Sequence, residues 1–277
     1  MDNWPSKSID LPVVPDLTGW FTRRDSVRDF DPEREIADAE IRTIVDAGRK
    51  APTTGALQMY SFVHVSEEET LEVLKECSGG TQEKIVDASH FLVACIDLRR
   101  TRQFHASREL PFELSSLSAL LKGAVDVAMA AHGILTVAES RGYGVCPVGA
   151  ISEDLDGVAA AIDLPELVLP VFGLCIGLPA GGGPDRSTSR VPLDMVFHDE
   201  GYSDPDAESI KTAFAEMNKR YPPDMDWDFS DSLSQWWTPA PDGWMNAREG
   251  VLRAALVQQG FLETADDGSR TSERRME

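Results

Sequence analysis

The amino-acid sequence predicts an α+β fold, in which helical and strand-like segments occur in mixed order. No clean βαβ repeat runs along the 277 residues, so a parallel α/β sheet is not favoured. No GxGxxG motif follows a strand-like segment, and a Rossmann dinucleotide-binding domain is therefore unsupported. Walker A and GxSxG motifs are also absent from the sequence.

Four segments of strand length predict the sheet. Two of them, 90–98 and 167–179, are apolar along most of their length, which is typical of buried strands. The other two are 60–65, which is rich in β-forming residues, and 143–151, which leads into a glycine-containing turn.

The helices are predicted from apolar spacing and from N-cap residues. The longest signal, 113–141, is rich in Ala and Leu and apolar on most faces, as in a helix buried in a large core or across a subunit interface. Ser66 and Glu69 form a predicted capping box, and Ser152 is the predicted N-cap of a helix over 152–162. Further helices are predicted over 36–50, 204–221 and 243–260.

The predicted organisation is one large domain with a short arm and a tail. Residues 1–15 contain three prolines and predict an arm, and 264–277 predict a polar, disordered tail. The domain between them, 16–263, includes a helical excursion at about 204–242. The tryptophans of this excursion could line a pocket for aromatic substrates, but packing against the core is favoured. They are Trp227, Trp236, Trp237 and Trp244.

Composition excludes several classes of function. The chain has 26 basic and 47 acidic residues, a net charge of -21, which argues against a nucleic-acid partner. Adaptation to high salt and ordinary acidity both remain open as explanations of this charge. The N-terminus does not resemble a signal peptide, and stretches such as 167–178 are too short to span a bilayer. A cytoplasmic protein without a membrane partner is expected.

Cysteine and histidine spacing predicts neither a disulfide framework nor a metal site. The four cysteines contain no CxxC pair, so buried reduced thiols are favoured. The five histidines form no HxxxH pair on a helix, and a metal enzyme is therefore not expected. They are His64, His90, His105, His132 and His198.

The basic stretch at 23–28 predicts a phosphate site. Arginine offers a planar set of donors that matches phosphate oxygens, and a serine hydroxyl adds another donor. On a helix, Arg24 and Arg28 would share one side, with Ser26 between them. A solvated basic turn that pairs with the neighbouring aspartates is the alternative interpretation.

The order of six segments resembles the FMN-dependent nitroreductase family. They are RRDSVRDF, APTTGALQMYSFVHV, TQEKIVDASHFLVACIDLRR, AESRGYGVCPVGAI, LPVFGLCIGLPA and SRVPLDMVFH. The resemblance covers about 20–262 and is strongest to the NADPH-preferring, oxygen-insensitive branch that includes bacterial flavin reductases. It implies a homodimer with a central, mostly antiparallel sheet flanked by helices, a long helix at the dimer interface, and two FMN sites that both subunits form.

The resemblance also implies which residues hold the FMN phosphate and ribityl chain. Arg24 and Ser26 match positions that contact this part of the cofactor, and Arg190 matches a phosphate-binding arginine. Arg28 matches a basic residue near flavin N1 and O2, where a cation stabilises the negative charge that reduction adds. Asp25 stands where many members have Arg or His.

Other matched residues surround the flavin ring. Gln82 matches a side chain at the pyrimidine edge, where an amide can donate and accept. Arg248 falls where relatives contact substrate. A turn whose backbone N–H points at flavin N5 matches Val148, Gly149 and Ala150. The loop that reaches the FMN of the other subunit matches Thr53, Thr54, Ala56 and Gln58.

The sequence departs from the family pattern in the phosphate and nicotinamide regions. Thr188 stands where close relatives often have a second phosphate-binding lysine, and Ala56 replaces a polar residue that commonly bonds the flavin. The region expected to bind the NADPH 2′-phosphate, 218–230, has only Lys219 and Arg220 as cations. Carboxylates follow at 224, 226, 228 and 231, so NADH becomes a credible donor.

The expected function is ping-pong hydride transfer, with NADPH or NADH as the electron donor and a nitroaromatic, quinone or flavin as the small-molecule acceptor. No side-chain acid or base is assigned, because the cofactor carries this chemistry. A dedicated-substrate flavin reductase or dehalogenase of the same fold is one alternative. A non-catalytic FMN-binding protein is another.

Overall fold

A computed structural model describes most of the chain. The described residues are 16–114, 116–181, 189–221, 225–237 and 244–262. The predicted arm (1–15) and tail (264–277) and Thr188 lie outside them. The chain divides into two compact units, Met1–Asp25 with Asp185–Phe229 and Ser26–Pro184 with Ser230–Glu277.

The second unit contains an antiparallel sheet. Its strands among the described residues are β1 (Tyr60–Val65), β2 (His90–Asp97), β3 (Gly144–Val148) and β4 (Val168–Gly177). They lie in the order β1-β2-β4-β3, and each neighbouring pair is antiparallel. Every residue of β2 is buried, as its continuous apolar run predicts. The predicted α+β class is confirmed.

Helices flank this sheet. In the second unit they are α2 (Asp38–Gly48), α3 (Glu68–Cys77), α4 (Lys84–Asp87), α5 (Arg99–Ser107), α6 (Ser116–Ser140), α7 (Leu155–Ala161) and α10 (Trp244–Gln258). The first unit contains α1 (Leu17–Arg23) and α8 (Ala207–Asn218), and α9 (Phe229–Trp237) begins at the last residue of that unit.

The long helix α6 is the central packing element of the second unit. It contacts all four strands and α2. Two glycines allow α2 and α6 to cross closely, since a Cβ on Gly133 would lie 2.5 Å from the Gly48 carbonyl oxygen. By length and composition alone, Leu117–Ser140 is long and apolar enough to cross a membrane. The shorter apolar stretches of the sequence, such as 167–178, are not. The inner face of α6, including Val127 and Ile134, is buried as in a core helix.

Two predicted N-caps are wrong. Helix α3 begins at Glu68 with Glu67 as N-cap and no side-chain cap bond, so Ser66 and Glu69 form no capping box. Helix α7 is capped by Asp154. Ser152 lies before it in a 3₁₀ turn that continues directly from β3, and this turn delays the start of the helix.

Part of the Trp-rich segment of the predicted excursion forms helix α9. In α9, Phe229, Leu233 and Trp236 recur at helical spacing, but no residue of this helix is buried. Trp237 is 71% exposed, so the favoured packing of these tryptophans against the core does not hold for it. Trp236 is also exposed on one side, at 39%.

Candidate functional site

The predicted flavin loop adopts a strained backbone. It follows α2 and contains a 3₁₀ turn, Thr54–Ala56, in which Thr54 is half-buried and Ala56 exposed. Gly55, Ala56 and Gln58 have φ angles of 54°, 58° and 54°. Left-handed backbone costs a non-glycine residue roughly 1–2 kcal/mol, so surrounding contacts must fix this loop.

A buried carboxylate fixes the two ends of the turn. Asp126, on α6, is 0% exposed. Its Oδ1 accepts a hydrogen bond from the Thr54 backbone N–H at 2.7 Å, and its Oδ2 accepts one from Met59 at 3.1 Å. Two charge-assisted bonds to backbone donors hold the loop against the core helix. No sequence motif marks Asp126, because these contacts join residues far apart in the chain.

A guanidinium fixes the exit of the same loop. Arg100 Nη2 donates to the carbonyl oxygens of Gln58 at 2.6 Å and Tyr60 at 2.7 Å. Its Nη1 donates to Asp97 Oδ2 at 3.0 Å and to Ser61 Oγ at 3.1 Å. Burial raises the pKa of the Tyr60 hydroxyl above its usual value, although the Arg49 and Arg100 cations partly offset this rise. Arg100 therefore ties the loop to the first two strands.

The predicted Gly149 turn is open on one side. Buried Val148 ends β3, and the 3₁₀ turn Gly149–Glu153 follows. Gly149 has no left-handed φ, and a Cβ added to it would meet no protein atom within 4 Å. Neither backbone conformation nor packing within the chain therefore requires glycine. Ala150 beside it is half-buried.

Gln82 lies on a loop that reaches this turn. Lys84 Nζ donates a hydrogen bond to Gln82 Oε1. A Cβ on Gly79, in the same loop, would lie 2.6 Å from Glu153 Oε2, so the loop touches the end of the turn. Lys84 places a cation beside the predicted flavin contact, and sequence reasoning missed it.

Arg248 meets the same turn from α10. Its Nη2 lies 2.6 Å from Glu153 Oε1, and the side chain is 16% exposed. The guanidinium also lies 5.5 Å from the Trp236 ring centre, within cation–π range. Glu153, at the end of the Gly149 turn, therefore contacts both Arg248 and, at Gly79, the loop that carries Gln82.

The predicted basic stretch is extended rather than helical. Helix α1 ends at Arg23 and Arg24 has an extended backbone, so Arg24 and Arg28 do not share a helix face. Val27 N–H donates to the Val145 carbonyl at 3.1 Å, which places this part of the chain beside β3. Exposed Arg28 donates from Nη1 to the Ser26 carbonyl at 3.1 Å.

The remaining predicted phosphate residues belong to the first unit. Arg24 and Asp25 are half-buried, and Arg190 is exposed. Arg190 Nη1 donates to the carbonyl of buried Ser189 at 3.0 Å. Their predicted role toward a phosphate stays a prediction.

One chain does not bring all predicted flavin residues together. The Thr53–Gln58 loop precedes β1, and the Gly149 turn follows β3. These strands are the two edges of the four-stranded sheet, about 14 Å apart at normal strand spacing. The residue types nevertheless fit a phosphorylated ring cofactor. Arginines and a hydroxyl suit phosphate, Gln82 can donate and accept, and the Gly149 turn has room for a close approach.

Comparison with known proteins identifies the family. Residues 21–178 match the Nitroreductase family. The chain belongs to the nitroreductase family. An NADPH-dependent oxidoreductase of Staphylococcus aureus is 31% identical over 220 residues, which are 79% of this chain and 81% of the relative.

Solved structures agree with this assignment. NfrA2 of B. megaterium is 27% identical, with a TM-score of 0.78 over 88% of this chain and 97% of that one. The NADPH:FMN oxidoreductase of Vibrio harveyi, complexed with NAD+, is 26% identical, with a TM-score of 0.73 over 88% and 97% of the two chains. The predicted nitroreductase and flavin reductase branch is confirmed, and with it the prediction of an NAD(P)H-dependent oxidoreductase.

Proposed function

We propose that this nitroreductase is an FMN-dependent oxidoreductase that works by a ping-pong mechanism. NADPH or NADH would supply the hydride, and a nitroaromatic, quinone or flavin would take the electrons. The observation that carries the proposal is the open turn at Gly149, whose last residue, Glu153, contacts both Arg248 and the loop that carries Gln82. Binding of both substrates at one open face requires the donor product to leave before the acceptor enters.

The chain's own residues would bind and orient the cofactor. When bound, FMN supplies the hydride-accepting and electron-donating chemistry. Arg24, Ser26 and Arg190 would hold the phosphate and ribityl chain, and the exposed guanidinium of Arg28 would favour negative charge near N1. Asp25 would have to point away from the phosphate.

The loop residues would serve the site of a partner subunit. The Asp126 and Arg100 contacts hold Thr53, Thr54, Ala56 and Gln58 in one strained conformation, as a preorganised binding loop requires. Its place at the opposite sheet edge from the Gly149 turn supports a site built from two chains.

An apolar stripe on α6 supports a homodimer. Leu117 and Leu121 are 80% and 68% exposed, and Val125 and Met129 continue the same helix face at i+4 spacing. Large aliphatic side chains are rarely aligned in this way toward solvent in a monomer. A second copy of the chain is the partner that the proposed shared site requires.

The charge near the expected 2′-phosphate region favours acceptance of NADH. Lys219, one of the two cations there, forms an ion pair with Glu216. Asp226 and Asp228 follow within ten residues. The curated relative is named for NADPH, but these groups would weaken a 2′-phosphate contact in this chain, so NADH is expected to compete.

An anaerobic absorbance experiment tests the proposal. Purified protein is reconstituted with FMN and desalted, and visible spectra are recorded after addition of NADH and, separately, NADPH. Bleaching of retained flavin by either donor, followed by recovery on addition of a quinone, is the expected result. Retained flavin that neither donor bleaches would favour a non-catalytic FMN-binding protein. Oxidation by only one acceptor class would favour a dedicated-substrate enzyme, and failure to retain flavin would overturn the proposal.

A further inference from the structure

Two histidines that are distant in sequence meet across the sheet. His64 lies on β1 and His90 is the first residue of β2, diagonal to it in the strand register. The His64 Nε2 and His90 Nδ1 atoms are 2.9 Å apart. Spacing rules for histidines on one helix do not detect such a pair, and neither residue belongs to the predicted flavin site.

The proton positions of this pair follow from a third contact. His90 is 5% exposed, and its Nε2 lies 2.7 Å from the Ile36 carbonyl oxygen. A carbonyl only accepts, so His90 Nε2 carries hydrogen and its Nδ1 presents a lone pair. His64 therefore donates its Nε2–H to His90 Nδ1. Metal-binding histidines are commonly oriented in this way, with the second ring nitrogen bonded to a backbone carbonyl.

A carboxylate completes the group. Asp38 is the first residue of α2, and its oxygen and one nitrogen of each histidine all lie within 4.8 Å of one another. Two imidazoles and one carboxylate are ligands that zinc and neighbouring divalent transition metals accept.

We propose that Asp38, His64 and His90 form a binding site for a divalent transition-metal ion such as Zn²⁺. In tetrahedral coordination with bonds of about 2.0–2.1 Å, ligand atoms lie roughly 3.4 Å apart. The histidine nitrogens would need to separate by about half an ångström, a shift that exposed His64 can make by a small ring rotation. The ion would bind the lone pairs of His90 Nδ1 and His64 Nε2, and the His64 proton would move through solvent from Nε2 to Nδ1, so that both imidazoles stay neutral.

The surroundings provide access for an ion and a place for its fourth ligand. His64 lines a cavity of about 440 Å³, whose other lining residues include Phe62, Leu92 and Arg42. Asp38 and His90 line a second cavity of about 520 Å³, and a water in either cavity would complete the coordination. Among the nearby charges, Asp46 is already paired with Arg49 at 2.5 Å, and at His64 the electrostatic effect of the Arg42 cation is opposite to that of the Asp38 carboxylate. The bound ion would join the start of α2 to β1 and β2.

Calorimetric titration of ZnCl₂ into tag-free, FMN-loaded protein at pH 7.5 tests the site. The wild type is expected to bind one ion per chain, and MgCl₂ titration measures weak binding to the acidic surface. His64→Gln is expected to weaken the tight Zn²⁺ site at least about tenfold, and Asp38→Asn by a smaller factor. His198→Gln, which changes a histidine elsewhere in the chain, is the matched control.

The variants keep the test independent of folding and of the flavin. His64 and Asp38 are exposed, so their substitution leaves the core intact, whereas His90 is buried and is not the first choice. Flavin content and the thermal midpoint of the metal-free proteins should match those of the wild type. Tight Zn²⁺ binding that His64→Gln leaves unchanged, or that His198→Gln reduces equally, would overturn the proposal. Absence of tight binding in the wild type would do the same.

Discussion

At Gly149 the chain leaves room that no protein atom fills. A Cβ added there would meet no protein atom within 4 Å, and the backbone is not left-handed, so we expect a valine side chain to extend into that room. Gly149→Val is therefore expected to keep the free energy of unfolding within about 0.5 kcal/mol, but to weaken FMN binding about tenfold or more. Gly201→Val is the control, since Gly201 is equally open. Flavin fluorescence titration and urea unfolding measure both effects, and equal FMN affinity in the two variants would remove Gly149 from the site.

The Asp126 carboxylate is a second residue with a measurable role. Asp126→Asn keeps its shape but turns one acceptor into a donor that faces a backbone N–H of Thr54 or Met59. The unsatisfied pair is expected to cost about 1–3 kcal/mol of unfolding free energy and to weaken FMN binding. Urea unfolding should show a larger loss for Asp126→Asn than for the control Asp46→Asn, which changes an exposed ion pair worth about 0.2–1 kcal/mol. A similar loss in both variants would contradict the role of Asp126.

Thiol reactivity tests the burial of the cysteines. Burial raises the pKa of Cys95 to about 12, and it also raises the pKa of Cys175 well above its usual value. At pH 8 only about one Cys95 in ten thousand would be the reactive thiolate. Burial and the nearby Asp154 raise the pKa of half-exposed Cys77. Ellman's reagent should label Cys77 slowly and the buried thiols only after denaturation, and rapid native labelling of more than one thiol would contradict this.

At the scale of elements, the strands and helices that are buried are the ones best predicted from the sequence. Strands β2 and β4 and helix α6 form where apolar or Ala-rich runs predict them, because packing of these apolar side chains in the core stabilises each element. Helix α5 was not predicted, since it has no buried residue and therefore no apolar periodicity. Helix starts were wrong where several polar residues compete for the same backbone donors, as before α3.

The capping roles of Asp154 and Ser66 can be compared directly by substitution. Asp154 accepts the Gly157 N–H at 2.9 Å at the start of α7, whereas Ser66 makes no cap bond at α3. Asp154→Ala is expected to lower the free energy of unfolding by about 1 kcal/mol, and Ser66→Ala by less than about 0.5 kcal/mol. Urea denaturation measures both. A larger loss for Ser66→Ala would restore the predicted capping box at α3.

At the scale of the whole molecule, the order of segments predicted the family and the candidate residues. It did not predict the long-range contacts that fix the conformation of these residues. The backbone contacts of Asp126 and Arg100 with the Thr53–Gln58 loop and with Met59 and Tyr60 join positions that are 40 or more residues apart, and sequence spacing carries no signal for them. The His64–His90 pair has the same character, because two strands must pair before the rings meet. Left-handed Ala56 and Gln58 were equally unpredictable, since neither residue type favours that conformation.

A substitution in the apolar stripe of α6 tests the proposed homodimer. Leu121→Glu would place a charge in the middle of the proposed interface, and its 68% exposure in a single chain means that the monomer should still fold. The variant is expected to sediment as a monomer with native circular dichroism. It should also lose FMN, because the Thr53–Gln58 loop would no longer reach the Gly149 turn of a second chain. Phe104→Glu, at a 63% exposed residue on α5, is the control and should remain dimeric. A Leu121→Glu protein that stays dimeric would exclude this stripe as the interface, and a monomer that retains FMN would contradict a site shared between subunits.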